Sequence, residues 1–369
     1  MNRRQDQIRG CLLGAAAGDA LGYCVNDLSL QEIREQYGPD GIQGYDSLNG
    51  WALISCHTQM AMYTANGLLF GATRGATRGR MAPYVQYLAA FYQEWATTQR
   101  YSAPGTIGRH YGWITTIPEL HARRNPDKMT LFAMERQKFG TLAEPVNRSR
   151  SPIAVTRSIP VGLFLNPRDN RPAEIRLLGA ESAALTVGDP LGFLPAAYLA
   201  EILNQLIYGK PDNFRAALRA SHKAMAEQFG TQYPQLEELR SLLQKAEILS
   251  AEPLAAETAM ERLNPQESAS VLAAACYVAL KFPGDFDRGI VAAVNHSGAS
   301  AAVGAVAGAL LGAQIGTEGI PEFYLEPLEF RPILEELADD LYQGCPMAKS
   351  ANLFDDQWDT KYVQCTYLN

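Results

Sequence analysis

Gly304, Gly308 and Gly312 recur four residues apart in a segment otherwise built from alanine, valine and leucine. Ala183-Ala184 and Ala273-Ala274-Ala275 repeat the small-residue theme in two other segments. Small side chains inside helices let helix axes approach closely, which constrains the chain to a tightly packed α bundle. Helical periodicity runs through most of the sequence, and strand-like alternation bounded by hairpin signals is hard to find. Residues 6–21 place Ile8, Leu12, Ala15, Ala16 and Leu21 near one face, and Ser29-Leu30-Gln31-Glu32 is a capping box opening a short helix that Gly38 closes. Further helices are predicted at 58–70, 82–98, 128–138, 173–186, 190–208, 213–228, 234–249, 268–281, 284–295, 301–314 and 330–342.

Partners are bounded by charge. Lys+Arg 32 against Asp+Glu 39 gives a net charge of −7, which offers no electrostatic footprint for nucleic acid or an anionic membrane. A small molecule or a protein is the expected partner, and nothing bears on oligomeric state. The six cysteines have no CxxC or paired spacing and read as the reduced thiols of a cytoplasmic protein. Arg3-Arg4 before Cys11–Ala17 mimics a secretory leader, but Gln5, Asp6 and Gln7 intervene and the apolar run is short, so no cleaved leader is expected.

The chain reads as one domain over 1–345, followed by a C-terminal tail, 346–369. The polar stretch Pro145–Arg171 is expected to be a long loop crossing that domain, although Ile159–Phe164 inside it reads as buried. Gly71-Ala72-Thr73-Arg74 is repeated at once as Gly75-Ala76-Thr77-Arg78. Its glycines suggest a mobile surface connection, with Arg74, Arg78 and Arg80 as a solvated basic loop or a phosphate holder.

No GxGxxG, Walker, HExxH or GxSxG pattern is present. Four blocks are informative: Ile8–Gly14 leading to Gly18-Asp19-Ala20-Leu21-Gly22; Thr58-Gln59-Met60 opening a helix; Pro118–Arg124; and His296-Ser297-Gly298 followed by the glycine series. In order and spacing they resemble the ADP-ribosylglycohydrolase family of the dinitrogenase reductase activating type, from about residue 6 to about 315. The resemblance implies an all-α, orthogonally packed fold with a cleft for ADP-ribose. It further implies two Mg²⁺ ions that orient the ribose and a water for cleavage of an N- or O-glycosidic bond.

Magnesium is a hard cation that wants oxygen ligands, chiefly carboxylates and water. The family carries Thr-Asp-Asp before Thr-Gln-Met, where this chain has Ser55-Cys56-His57. It carries Asp-Ser-Asp and then Ser or Thr after His-Ser-Gly, where this chain has Ala299-Ser300-Ala301-Ala302. A further family acid falls at Asn26, beside Asp27. The resemblance therefore implies former metal positions at Ser55, Cys56, His57, Ala299, Ala301 and Ala302, and no bound metal or cofactor. The family's glycine-rich phosphate loop has become Asn147–Thr156, with Ser151, Pro152, Ile153 and Ala154 in place of glycines, while Arg157 and Pro160-Val161-Gly162 survive. Proline lacks an N–H and isoleucine is β-branched, so ordinary ADP-ribose binding is not expected.

The residues expected to line a remaining ligand cleft are Asn26, Asp27, His57, Thr58, Trp113, Ser151, His296, Ser297 and Ser300, with no confident catalytic residue among them. Cys56 and His57, joined by His296 or Cys24, could hold a softer metal; Cys56 alone reads as a small buried hydrophobe. His296 reads equally as bonding a helix terminus, and Asp19 reads as a structural acceptor of backbone N–H groups. Tyr111, Trp113 and Arg123-Arg124 could stack on a base or pair with phosphate, or be core aromatics and surface arginines. Three functional readings follow: a catalytically degenerate binding or regulatory protein, a hydrolase rebuilt without Mg²⁺, and an interaction protein whose former cleft is filled.

Overall fold

A computed structural model describes residues 1–100, 108–164 and 171–367. Among these the chain is all-α, with isolated bridges but no strand. The helices are α1 (Arg3–Cys24), α2 (Leu30–Tyr37), α3 (Cys56–Arg78), α4 (Tyr84–Thr98), α5 (Lys128–Glu135), α6 (Ile153–Arg157), α7 (Ile159–Phe164), α8 (Pro172–Ala184) and α9 (Pro190–Asn204). They continue as α10 (Phe214–Phe229), α11 (Leu236–Ala251), α12 (Ala256–Leu263), α13 (Ser268–Lys281), α14 (Phe286–Val294), α15 (Ser300–Ile315), α16 (Glu322–Leu325), α17 (Arg331–Gln343) and α18 (Asp356–Tyr362).

The central unit is the antiparallel pair α1 and α15. Four residues turn an α-helix through slightly more than one revolution, so glycines at that spacing form a groove along one side. Gly10, Gly14, Gly18 and Gly22 of α1 meet Gly312, Gly308, Gly304 and Ser300 of α15 in turn. A Cβ on Gly308 would lie 1.9 Å from the Gly14 carbonyl oxygen, and one on Gly304 2.1 Å from that of Gly18. Backbone packs directly on backbone here, a closeness that only glycine permits. Both helices are buried nearly all round, as helices without a polar face must be. The apolar run Cys11–Ala17 that resembles a leader core thus lies within a central buried helix.

Local signals fix many ends. Asn2 accepts from the N–H groups of Arg4 and Gln5, the Ser29–Glu32 capping box forms in both directions, and Gly38 ends α2 at φ +94°. Three expectations require correction. The Gly-Ala-Thr-Arg repeat is no loop: α3 runs through it to Arg78, because Gly71 and Gly75 let Tyr87 and Met81 pack against the helix. The stretch from 145 to 171 carries α6 and α7, buried against α3 and α9, rather than crossing the surface as a loop; residues 165–170 lie outside those described. The C-terminal segment is no free tail. Trp358 donates to Thr73 Oγ1 at 2.8 Å, Lys361 pairs with Asp340 at 2.5 Å, and Tyr362 donates to the same carboxylate at 2.6 Å, all buried. Helix α12 and the short α16 and α18 have no counterpart among the predicted segments. Among the described residues no helix is long and apolar enough to cross a membrane.

Candidate functional site

The end of α1, the start of α3 and the start of α15 converge on one side of the glycine seam, and α6 closes over them. Asp19, fully buried on α1, organises the junction. Its Oδ2 accepts from the N–H of Ser55 at 2.9 Å, the N–H of Thr58 at 3.2 Å and the Thr58 hydroxyl at 2.5 Å; Oδ1 accepts from the Ser55 hydroxyl. Asp19 is thereby the N-terminal anchor of α3, satisfying donors that a helix start leaves free. On the other flank, Asn26 Oδ1 accepts from the N–H of Ala301 at 3.2 Å and ties the end of α1 to the first turn of α15. Ala301 and Ala302 are buried, and Ala299 is half-buried.

His57 is half-buried, and its Nδ1 shares a hydrogen bond of 2.9 Å with Thr156 Oγ1 on α6. Desolvation holds its imidazole below the usual histidine range, while the carboxylates of Asp19 and Asp127 pull the other way. The cavity bordered by His57, Thr58, Thr156 and Ala305 has a volume of about 10 Å³. That is the space of a single water. Cys56 is buried beside them, its N–H bonded to the Arg124 carbonyl at 2.8 Å, and desolvation pushes its thiol well above the usual range. Buried in this way, the thiol packs as a small apolar side chain.

The remaining expected cleft residues scatter. His296 is fully buried, with Nε2 bonded to the Ala293 carbonyl at 2.9 Å; it holds a helix terminus. Ser300 is buried and bonds back to the His296 carbonyl, while Ser297 receives the N–H of Leu30 at 2.8 Å and so positions α2. Asp27 is exposed at φ +70°, accepting from Asn125 at 3.4 Å. Trp113 is a correction: it is fully buried and stacked on Tyr367 with centroids 5.3 Å apart, leaving no open face for a base. Arg124 is another. It is neither a phosphate ligand nor a surface arginine but pairs with Glu329 at 2.7 Å in a largely buried bridge, while Arg123 is exposed. Cys24 is half-buried at the end of α1, its thiol held by the Ala20 and Asp46 carbonyls, and does not join Cys56 and His57.

Two acids that the sequence did not single out belong to this region. Asp127 caps α5, accepting from Thr130 N–H at 2.7 Å, and holds the Ser151 hydroxyl at 2.8 Å. Glu329 accepts from both Arg124 and the N–H of Ile54, anchoring the strand-like approach to α3. Arg157, which survives from the phosphate-loop pattern, faces inward. Its guanidinium is fully buried over the Tyr92 ring and donates to Thr186 Oγ1 and to the carbonyls of Ser182 and Ala183, capping the end of α8.

The sequence profile described as ADP-ribosylglycohydrolase matches residues 1–351. The chain belongs to the ADP-ribosylglycohydrolase family. An uncharacterized protein of Archaeoglobus fulgidus is 26% identical over 353 residues, covering 92% of this chain and 97% of its own length. A solved structure titled "ADP-ribosylglycohydrolase-related protein complex" shares the fold with a TM-score of 0.60 and 23% identity, covering 93% of this chain and 99% of its own.

At the positions that the resemblance assigns to the metal stand the Ser55 hydroxyl, which donates to Asp19, the buried Cys56 thiol, the His57 imidazole bonded to Thr156, and the methyl groups of Ala299, Ala301 and Ala302. Among the described residues no three His, Cys, Asp or Glu side chains stand close enough to share a metal ion. A hard cation needing oxygen and negative charge does not fit this set.

His296 supplies a pH test of the scaffold. Burial lowers its pKa to about 4, from an ordinary value near 6.5. The unfolded chain therefore binds the proton first as pH falls, so stability decreases through the window from about 6.5 to about 4, by about 3 kcal/mol in total. Urea titrations of the wild type and of His296→Gln across that window should differ in slope, the variant lacking this component. Parallel slopes would show a histidine that titrates normally.

Proposed function

We propose that this family member is catalytically degenerate and works as a binding or regulatory protein without a binuclear magnesium site. The single observation carrying this reading is the conversion of the start of α3 into a closed hydrogen-bonded junction. Asp19 is saturated by Ser55 and Thr58, Cys56 is buried, and His57 is tied to Thr156. Residues that could have received substrate oxygen or cation instead complete one another's hydrogen bonds. Unpaired carboxylates in such a place would repel, and their replacement by apolar side chains relieves that cost. The buried alanines at 301 and 302 fit the same logic.

Purified protein supplied with Mg²⁺ and with peptides ADP-ribosylated on arginine or serine is expected to release no ADP-ribose above a boiled control. Turnover that EDTA abolishes would overturn the reading.

One observation favours a second possibility, a hydrolase whose site was rebuilt without Mg²⁺. His57 is half-buried and within the field of two carboxylates, Asp19 and Asp127, which is the electrostatic setting of a general base. The void beside it, about 10 Å³, is too small for a substrate. Should EDTA-resistant turnover be found, His57→Ala should abolish it, whereas His296→Ala acts only through stability.

A further inference from the structure

We propose that the groove at the C-terminal end of α3 binds a nucleoside polyphosphate, at a site separate from the closed junction at the start of the same helix. The groove has a volume of about 490 Å³ and is lined by Arg74, Arg78, Arg80, Tyr87, Tyr111 and Phe70, among others. That volume lies in the range of small-molecule sites, roughly 300–1,000 Å³.

The exact four-residue repeat creates it. Residues four apart share a helix face, so Arg74 and Arg78 emerge side by side, while Gly71 and Gly75 let Tyr87 and Met81 sit directly against the helix. Arg80 follows just beyond Gly79, which ends α3 at φ +69°. Arg109 adds a fourth cation at the rim, 5.8 Å from the Tyr111 ring centroid.

Charge compensation is missing. Among the described residues no carboxylate lines the groove and no ion pair engages any of the four arginines. The nearby acid, Glu94, is buried and taken up by the N–H groups of Tyr111 and Gly112 and the Thr115 hydroxyl. In a chain of net charge −7, three arginines lining one groove with a fourth at its rim are a local exception. One basic residue near a helix C-terminus answers the helix dipole; four exceed that need.

The rings decide the ligand class. Arg74 lies over Phe70 with its guanidinium carbon 4.5 Å from the centroid, a stacking that holds the plane and leaves its N–H edges free to donate. Phosphate oxygens match that fork geometry, and several phosphates are needed to engage several forks. Tyr87 and Tyr111 are half-exposed and offer faces to a planar base.

Calorimetric titration of the full chain with ATP, pyrophosphate and adenosine, at about 50 and about 300 mM salt, tests the proposal. ATP should bind, pyrophosphate more weakly, adenosine not at all, and ATP affinity should fall with salt. Arg78→Glu with Arg80→Glu should weaken ATP by about tenfold or more, since each charged hydrogen bond lost is worth that order. Both positions are exposed, so the variant should stay folded, with only the small fall in unfolding midpoint that a carboxylate in the last turn of a helix brings. No binding of ATP or pyrophosphate, or ATP binding indifferent to the charge reversals, overturns the site. Pyrophosphate binding as tightly as ATP overturns the nucleoside part, and a single-stranded RNA oligonucleotide outcompeting ATP overturns the assignment to a small molecule. Hydrolysis of ADP-ribosyl peptides is read separately, so failure here leaves the degenerate-enzyme reading untouched.

Discussion

Gly308→Ala is expected to destabilise the protein by at least about 3 kcal/mol, or to leave no soluble protein. A Cβ there would stand 1.9 Å from the Gly14 carbonyl oxygen and 2.6 Å from its carbon. These are backbone atoms of a helix that is itself locked in place, so no side chain can rotate aside. The two helices would have to separate, and separation opens every other contact along the seam, from Gly10 against Gly312 to Gly22 against Ser300. Gly44→Ala is the control: a Cβ there meets nothing within 4 Å and its φ is not in the left-handed region, so its urea midpoint should match the wild type. A Gly308→Ala midpoint equal to that of Gly44→Ala would mean that the close approach of α1 and α15 does not hold the fold together.

That seam was partly legible in the sequence. Four-residue spacing of Gly304, Gly308 and Gly312 is a local property, and so are the Ser29–Glu32 capping box and the Gly38 stop, all of which the structure contains. The partner of each glycine was not legible, because contacts between Gly14 and Gly308 span most of the chain. The misread segments fail for one reason. Glycine in the 71–78 repeat and proline at 152 and 160 discourage helix when weighed alone, yet packing against Tyr87 supports the first, and both prolines stand at helix beginnings where a missing N–H costs nothing. Tertiary context overrides propensity in both.

The candidate site divides in the same way. Asp19 as a structural acceptor was readable, since an acid among small residues must find N–H donors. Asp127 and Glu329 were not, because each acts through a partner remote in sequence: Ser151 for the first, Arg124 for the second. Trp113 takes the core-aromatic alternative, stacked on Tyr367 of the C-terminal segment, whereas Arg124, read as a phosphate ligand or a surface arginine, is largely buried against Glu329. No local pattern announces such partners.

Asp19→Ala is expected to cost about 3 kcal/mol and to loosen the first turn of α3. It strands two backbone N–H groups, of Ser55 and Thr58, and two hydroxyls in a buried place. Asp19→Asn should be milder, about 1 kcal/mol. Its amide oxygen, placed at Oδ2, keeps three of the four bonds, and its NH₂ faces Ser55 Oγ, which already accepts from the His57 N–H. Amide exchange at residues 57–59 reads the local effect and urea unfolding the global one. The order Ala above Asn matters for function as well as for stability. If hydrogen-bond geometry rather than charge is what Asp19 supplies, its carboxylate is already committed within the protein and is not available to a cation. If Asn were as damaging as Ala, the charge itself would be required, the junction would have to contain a cationic partner, and the reading of a site closed by its own side chains would fail.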